Sequence, residues 1–453
     1  MMLRPLRKGG VIAASLTVAT ALSVNAYAAG DLPTISYEKF TLPNGLTVIL
    51  SVDKTAPVVA TFVHYHVGSK NERPDRTGFA HFFEHLMFEG SKNIERHTLD
   101  KMVQTAGGWL NAFTSFDETG YQIKLPSNQL KLALWIESER MLHAQVEEIG
   151  VETQRGVVKE ERKSRYDNTP YGSIMENLAK YVGNGTPYAW TPIGSAQYID
   201  QAQIGEFREF YKQFYVPNNA VLAVVGDFDP ASTKKLIEDY FAEIPRGAEI
   251  ERPKFAMQLG TAEQAVEIRE EKTPLPALIY GYRSVGKGHP DSYALDMLST
   301  ILATGNSSRL YRTMVDEKRL AVGVQAFPLT LESGGIVGLF AVSHPTVTME
   351  QLGREFDQII ADVQSEGVTE EEFQKARNQV ETQYAQSFTD VMDKAQALAS
   401  YETFFNDPGL INVEIDRTMA VTRADIQRVA RTYLVPANRV VLKYLPPAQG
   451  GEN

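Results

Sequence analysis

The chain has 453 residues, 43% of them hydrophobic and 22% charged, a composition typical of a globular protein and a length that calls for two or more domains. Its formal charge of −11 argues against nucleic acid as a partner. Cysteine is absent, which excludes a disulfide framework, a thiolate nucleophile and thiolate metal ligands, so any metal must be held by His, Asp or Glu.

The first 28 residues read as a cleaved secretory signal. Arg4, Arg7 and Lys8 form a basic start, Val11 to Val24 is a short apolar run, and Ala26-Tyr27-Ala28 supplies the small residues of a cleavage site. The run is too short for a comfortable membrane span, so the mature chain is expected in a bacterial periplasm with no membrane span. Phe40 to Leu50 then suggests a hairpin turning at Asn44-Gly45, and Val58 to Val67 a second strand.

A helix expected over Gly78 to Phe88 carries His81-Phe82-Phe83-Glu84-His85. On that helix His81 and His85 are one turn apart on one face, where two imidazoles can reach a single zinc ion. Glu84 lies close enough to that face to act on a water there. The spacing H-x-x-E-H is the inverzincin pattern. A zinc site of this kind needs a third protein ligand, and candidates follow in residues 154–168, QRGVVKEERKSRYDN. Taken alone, Glu160 and Glu161 there read as solvated charge on an acidic helix.

Further on, the chain repeats itself. Residues 207–226, FREFYKQFYVPNNAVLAVVG, and residues 426–445, IQRVARTYLVPANRVVLKYL, share an amphipathic helix, a Val-Pro, an Asn and an aliphatic strand. The spacing is about half the chain, which predicts two homologous domains, 33–250 and 265–447, joined through the polar stretch from Pro245 to Thr273. The expected fold class is α+β, with each domain a mostly antiparallel sheet carrying helices on one face. In the second half Thr369-x-x-Glu372 and Thr422-x-x-Asp425 mark helix starts. The second-half counterpart of the histidine motif, Ala294 to Thr304, contains no histidine.

Together, HFFEHLMFEGSKN, AGGWLNAFTSFDETGYQIKLP and QRGVVKEER resemble the pitrilysin family, which includes insulin-degrading enzyme and the mitochondrial processing peptidases. PNNAVLAVVGDFDP and LATGNSSRLYRTMVDEKRLAVGV extend the resemblance across nearly all of the mature chain. It implies one Zn²⁺ per chain on His81, His85 and Glu161, with Glu84 as general base. It selects Glu161 over Glu160 as the second acid of a Val-Val-x-Glu-Glu pattern. Where family members often carry a supporting glutamate, this chain has Gln154. The stretch Asn111, Ala112, Phe113 and Thr114 resembles the family's substrate-binding edge strand, which pairs with an extended peptide through main-chain hydrogen bonds. A Gly-rich turn before an ordinary strand is the plainer reading of the same residues.

The resemblance also exposes a gap. Catalytic relatives commonly draw an Arg and a Tyr from the second half to stabilise the substrate carbonyl, and here Val315 and Val322 occupy those positions. The expected activity is a zinc-dependent endopeptidase cutting short unfolded peptides in a closed chamber. A homologous partner subunit carrying the Arg/Tyr pair is expected to complete it as a heterodimer, with a homodimer as the runner-up. The alternative is a non-catalytic structural or assembly subunit of such a complex; a zinc buffer would need no general base beside its metal. His64 and His66 share one face of a strand and read as packing or surface groups. His97, His143, His289 and His344 have no recognisable partners.

Overall fold

A computed structural model describes residues 34–447, so the leader expected over 1–28 lies outside the described residues. The first sheet contains β1 (Glu38–Thr41), β2 (Thr47–Val52), β3 (Val58–Tyr65), β4 (Trp109–Thr114), β5 (Thr119–Pro126) and β6 (Ala220–Gly226). Its order is β1-β2-β6-β3-β5-β4, antiparallel throughout except between β2 and β6. The second sheet contains β7 (Gln264–Arg269), β8 (Ala277–Ser284), β9 (Ala321–Leu331), β10 (Gly334–Ser343) and β11 (Arg439–Leu445). Its order is β7-β11-β8-β10-β9, with β7 and β11 the parallel pair.

Without β1 the two orders are the same. The internal repeat therefore extends from a twenty-residue resemblance to whole sheets. Its best-matched segment has the same local chemistry in both copies. Pro217 and Pro436 each open a single 3₁₀ turn between helix and strand. The buried Asn219 donates to the Phe214 carbonyl at 2.8 Å, and Asn438 donates to the Tyr433 carbonyl at 2.8 Å. Each amide satisfies a carbonyl that the helix end leaves without an intrahelical donor.

The α+β architecture with helices on the sheets is as expected, and the structure adds an exchange between halves. One face of the first sheet packs on its own helices, including Phe79–Leu86, Leu130–His143 and Ile204–Phe214. The opposite face is covered from the second half by the helix Val391–Phe405, whose Ala395, Leu398 and Ala399 pack on Ile49, Ala60, Phe62 and Ala223. Reciprocally, Ile174–Val182 of the first half sets Leu178 and Val182 against Ile279 and Leu442 of the second sheet. No helix among the described residues is long and apolar enough to cross a membrane.

Candidate metal centre

The helix Phe79–Leu86 is anchored by its aromatic face. Phe79 and Phe82 stack on Phe207, with ring centroids 4.8 and 4.6 Å apart, and Phe83 stacks on Tyr211 at 5.4 Å. Its N-terminal end has no side-chain cap from Gly78, whose φ of 100° only glycine adopts without strain. The buried Glu72 replaces that cap from outside the helix: its carboxylate accepts from the Gly78 N–H at 2.9 Å, the Ala80 N–H at 2.8 Å and the Trp190 indole at 3.1 Å.

With the phenylalanines turned inward, His81 and His85 face outward together. Their Nε2 atoms lie 3.4 Å apart. Glu161, from the helix Glu148–Arg162, brings Oε2 to 3.4 Å from His81 Nε2 and 3.2 Å from His85 Nε2. Glu160 points away, largely exposed, and pairs with Lys163. The solvated-charge reading therefore fits Glu160 and not its neighbour. Among the described residues, His81, His85 and Glu161 are the one group of three such side chains close enough to share an ion.

The donor set fits zinc. Two imidazole nitrogens and one carboxylate oxygen, with a further position left open, match a catalytic zinc site. Burial, with the neighbouring His85, presses the His81 imidazolium down to a pKa of about 4, which leaves a neutral ring with a lone pair to offer. The His85 hydrogen bond holds the Glu161 carboxyl below its usual range. Burial raises the Glu84 carboxyl, opposed by the Thr114 hydroxyl. Glu84 Oε2 and His81 Nδ1 are both buried without a hydrogen-bond partner among the described residues.

Gln154 sits behind His85. Its Oε1 lies 3.2 Å from His85 Nδ1, its amide donates to the buried Glu89 carboxylate, and Glu89 pairs with Arg96. The ring is thus oriented by a neutral amide, with the carboxylate one link farther out. Sequence reasoning missed Glu72, Glu89 and Arg165. Arg165 Nη1 lies 3.0 Å from Glu161 Oε1, on a π-helical segment Lys163–Asp167. Its position four residues after Glu161 was a usable signal. Glu72 and Glu89 lie outside any regular repeat that would reveal them.

The edge strand β4 divides the four residues assigned to substrate binding. Alternation turns Ala112 and Thr114 toward the histidine helix, while Phe113 stacks on Phe62 under the exchanged helix, centroids 6.2 Å apart. Asn111 shares Phe113's face of the strand. Val315 packs against the second core, and Val322 is half exposed on β9. His64 and His66 meet acids rather than metal partners, Glu118 at 2.8 Å and Glu332 at 2.7 Å.

Residues 47–189 match the family model described as Insulinase (Peptidase family M16), and residues 202–380 match the Peptidase M16 inactive domain. The zinc protease PqqE of Helicobacter pylori is 30% identical over 415 residues, covering 91% of this chain and 93% of that protein. The chain belongs to peptidase family M16. A crystal structure of a protease from Helicobacter pylori superposes with a TM-score of 0.87 at 29% identity, covering 91% of this chain and all of that one. The mitochondrial-processing peptidase subunit beta of Lentinula edodes is 25% identical over 414 residues, covering 87% of this chain and 86% of that one. The chain is thus similar to M16 zinc proteases over nearly its whole described length, and peptidase chemistry is the activity of that group. The inactive-domain model begins within the first half, beyond the histidine motif, and runs into the second half as far as residue 380.

Proposed function

We propose that this chain is a periplasmic zinc endopeptidase that hydrolyses short unfolded peptides in an enclosed chamber. The observation that carries the reading is the convergence of His81, His85 and Glu161 beside Glu84, whose Oε2 is buried without a hydrogen-bond partner among the described residues. His81, His85 and Glu161 would hold the ion. Zinc, when bound, supplies Lewis acidity that polarises a carbonyl and acidifies water. Glu84 takes the proton from the attacking water and returns it to the leaving amine, which suits a carboxyl whose pKa is raised by burial. The free edge of β4 pairs with an extended peptide, and Ala112 and Thr114 set the side-chain space beneath it.

Val315 and Val322 cannot donate a side-chain hydrogen bond, so carbonyl stabilisation falls to a homologous partner subunit. A subunit-type relative supports this heterodimer reading. The alternative of a non-catalytic assembly subunit draws on the inactive-domain match over residues 202–380. One experiment separates the two. Glu84→Gln should keep one zinc per chain and lose at least about a hundredfold in peptide turnover with the partner present. His81→Ala and His85→Ala should lose the metal. Equal zinc loss in all three variants would remove Glu84's role as base. A wild-type chain that binds zinc but adds nothing to the partner's turnover would favour the assembly subunit.

A further inference from the structure

A cavity of about 560 Å³ opens in the second half, between the helices Pro290–Ala303 and Val391–Phe405. No residue of the metal centre lines it. Its walls set the aromatic rings of Tyr293, Phe388, Tyr401, Phe404 and Phe405 among polar side chains. Two carboxylates, Asp296 and Asp393, reach it with no hydrogen bond or ion pair to either side chain among the described residues. A third, Glu414, is engaged by the Tyr293 hydroxyl at 2.7 Å.

One wall of the cavity is the second half's counterpart of the histidine helix. The helix Pro290–Ala303 follows β8 as Phe79–Leu86 follows β3, and it packs against Glu370–Ser387 as Phe79–Leu86 packs against Glu148–Arg162. Histidine is absent there, and the chemistry that remains is one of carboxylates and rings. One ammonium group already uses it: Lys287 Nζ sits 3.5 Å from the centre of the Phe404 ring and 3.6 Å from Glu118. Lys287 makes no ion pair with Asp296. Removing a carboxylate from water without a partner is unfavourable, and burial alone pushes the Asp296 carboxyl up to about 6. A group kept in that state at the wall of a cavity set with aromatic rings is suited to a ligand of opposite charge.

We propose that this cavity binds an organic cation, with an ammonium or guanidinium group held by Asp296 against the faces of Tyr401 and Phe405. Aromatic faces attract such cations through their quadrupole, and a nearby carboxylate supplies the net charge. The cation has two sources, a free polyamine or a basic side chain of a peptide. A metal ion is disfavoured because, among the described residues, no three His, Asp or Glu side chains at this cavity lie close enough together to share one.

Calorimetric titration of the full-length chain tests this, with Glu84→Gln as the background so that no peptide is consumed. The probes are spermidine and an N-acetylated, C-amidated tetrapeptide with one central arginine. Each is paired with an uncharged counterpart, fully acetylated spermidine and the citrulline peptide. Saturable binding of at least one cation is expected, lost in its neutral counterpart and weakened at least tenfold by Asp296→Asn. Tyr401→Leu should weaken it about threefold or more, and His81→Ala should leave it unchanged. Tighter binding of spermidine assigns the site to a free cation, and tighter binding of the peptide assigns it to a basic residue. Equal binding of neutral and charged probes, or no saturable binding of either cation, overturns the proposal. So does an Asp296→Asn chain that unfolds at lower temperature without ligand, because a structural carboxylate loses its role on amidation while an unpaired one does not.

Discussion

His85 is held through both of its ring nitrogens, and that double constraint ranks the residues around it. Nε2 points to Glu161 and Nδ1 to Gln154, so Gln154 fixes both tautomer and ring orientation. Gln154→Leu should therefore weaken zinc about 10- to 100-fold in a chelator competition, with the fold intact. Gln154→Glu gives a less obvious outcome. The new carboxylate would accept from His85 but would face Glu89, which is buried and already paired with Arg96. Two carboxylates in hydrogen-bond contact cannot both stay ionised there. The single variant should bind zinc less tightly than wild type, and Glu89→Gln added to it should restore binding. A cycle in which the two changes simply add would break the proposed link between them. Sequence reasoning reached His81, Glu84 and His85 because helical periodicity converts spacing directly into a shared face. Glu161 came only from family resemblance, since a pair of adjacent acids on an amphipathic helix does not say which one turns inward.

Among the elements, the histidine helix is short, and nothing in its own sequence caps its first turn. Eight residues would be marginal alone. Packing of Phe79, Phe82 and Phe83 holds one side of it, and Glu72 holds its N-terminus by accepting from the Gly78 and Ala80 N–H groups. Glu72→Ala would strand two backbone N–H groups away from water, while the Trp190 indole keeps the Ser69 carbonyl, for a loss of about 2–4 kcal/mol in urea unfolding. Glu72→Gln keeps one good acceptor oxygen and should lie between wild type and the alanine variant. A Glu72→Ala chain as stable as wild type would show that water reaches those donors. The hairpin at Asn44-Gly45, the strand after it and the capping boxes at Thr369 and Thr422 were legible in sequence because each rests on local chemistry. The helices Ile174–Val182 and Val391–Phe405 were not. Their apolar stripes say that each covers a sheet, and only the tertiary fold decides that each covers the sheet of the other half.

That exchange makes the two halves one structural unit. Removing residues 251–453 would expose Ile49, Ala60, Phe62, Ala223 and Val225 on the first sheet, a continuous apolar face. The isolated first half should aggregate or bind hydrophobic dyes, even though it contains every residue of the metal centre. A monomeric, dye-free half with native zinc affinity would show that the exchanged helix is dispensable. Across the same seam run ion pairs that make the union sensitive to acid. Asp53 meets Lys394, Glu118 meets His64 and Lys287, and Glu332 meets His66 and Lys70. Burial works against each carboxylate, yet the hydrogen bonds and charges of these partners, with Thr55 beside Asp53, hold all three at about 2, below ordinary values of 3.8 for Asp and 4.5 for Glu. A carboxyl depressed in the fold contributes stability that is present above its unfolded pKa and lost as pH falls toward the folded one. His66, lowered mainly by burial, adds a loss that begins as pH drops below 6.5. The thermal midpoint should therefore decline gently from about pH 6 and steeply between about pH 4.5 and 2. Glu332→Gln should lower the midpoint at pH 7 and flatten the acid decline, because the amide has no proton to gain. A Glu332→Gln curve running parallel to wild type down to pH 3 would place the acid sensitivity elsewhere than at this seam.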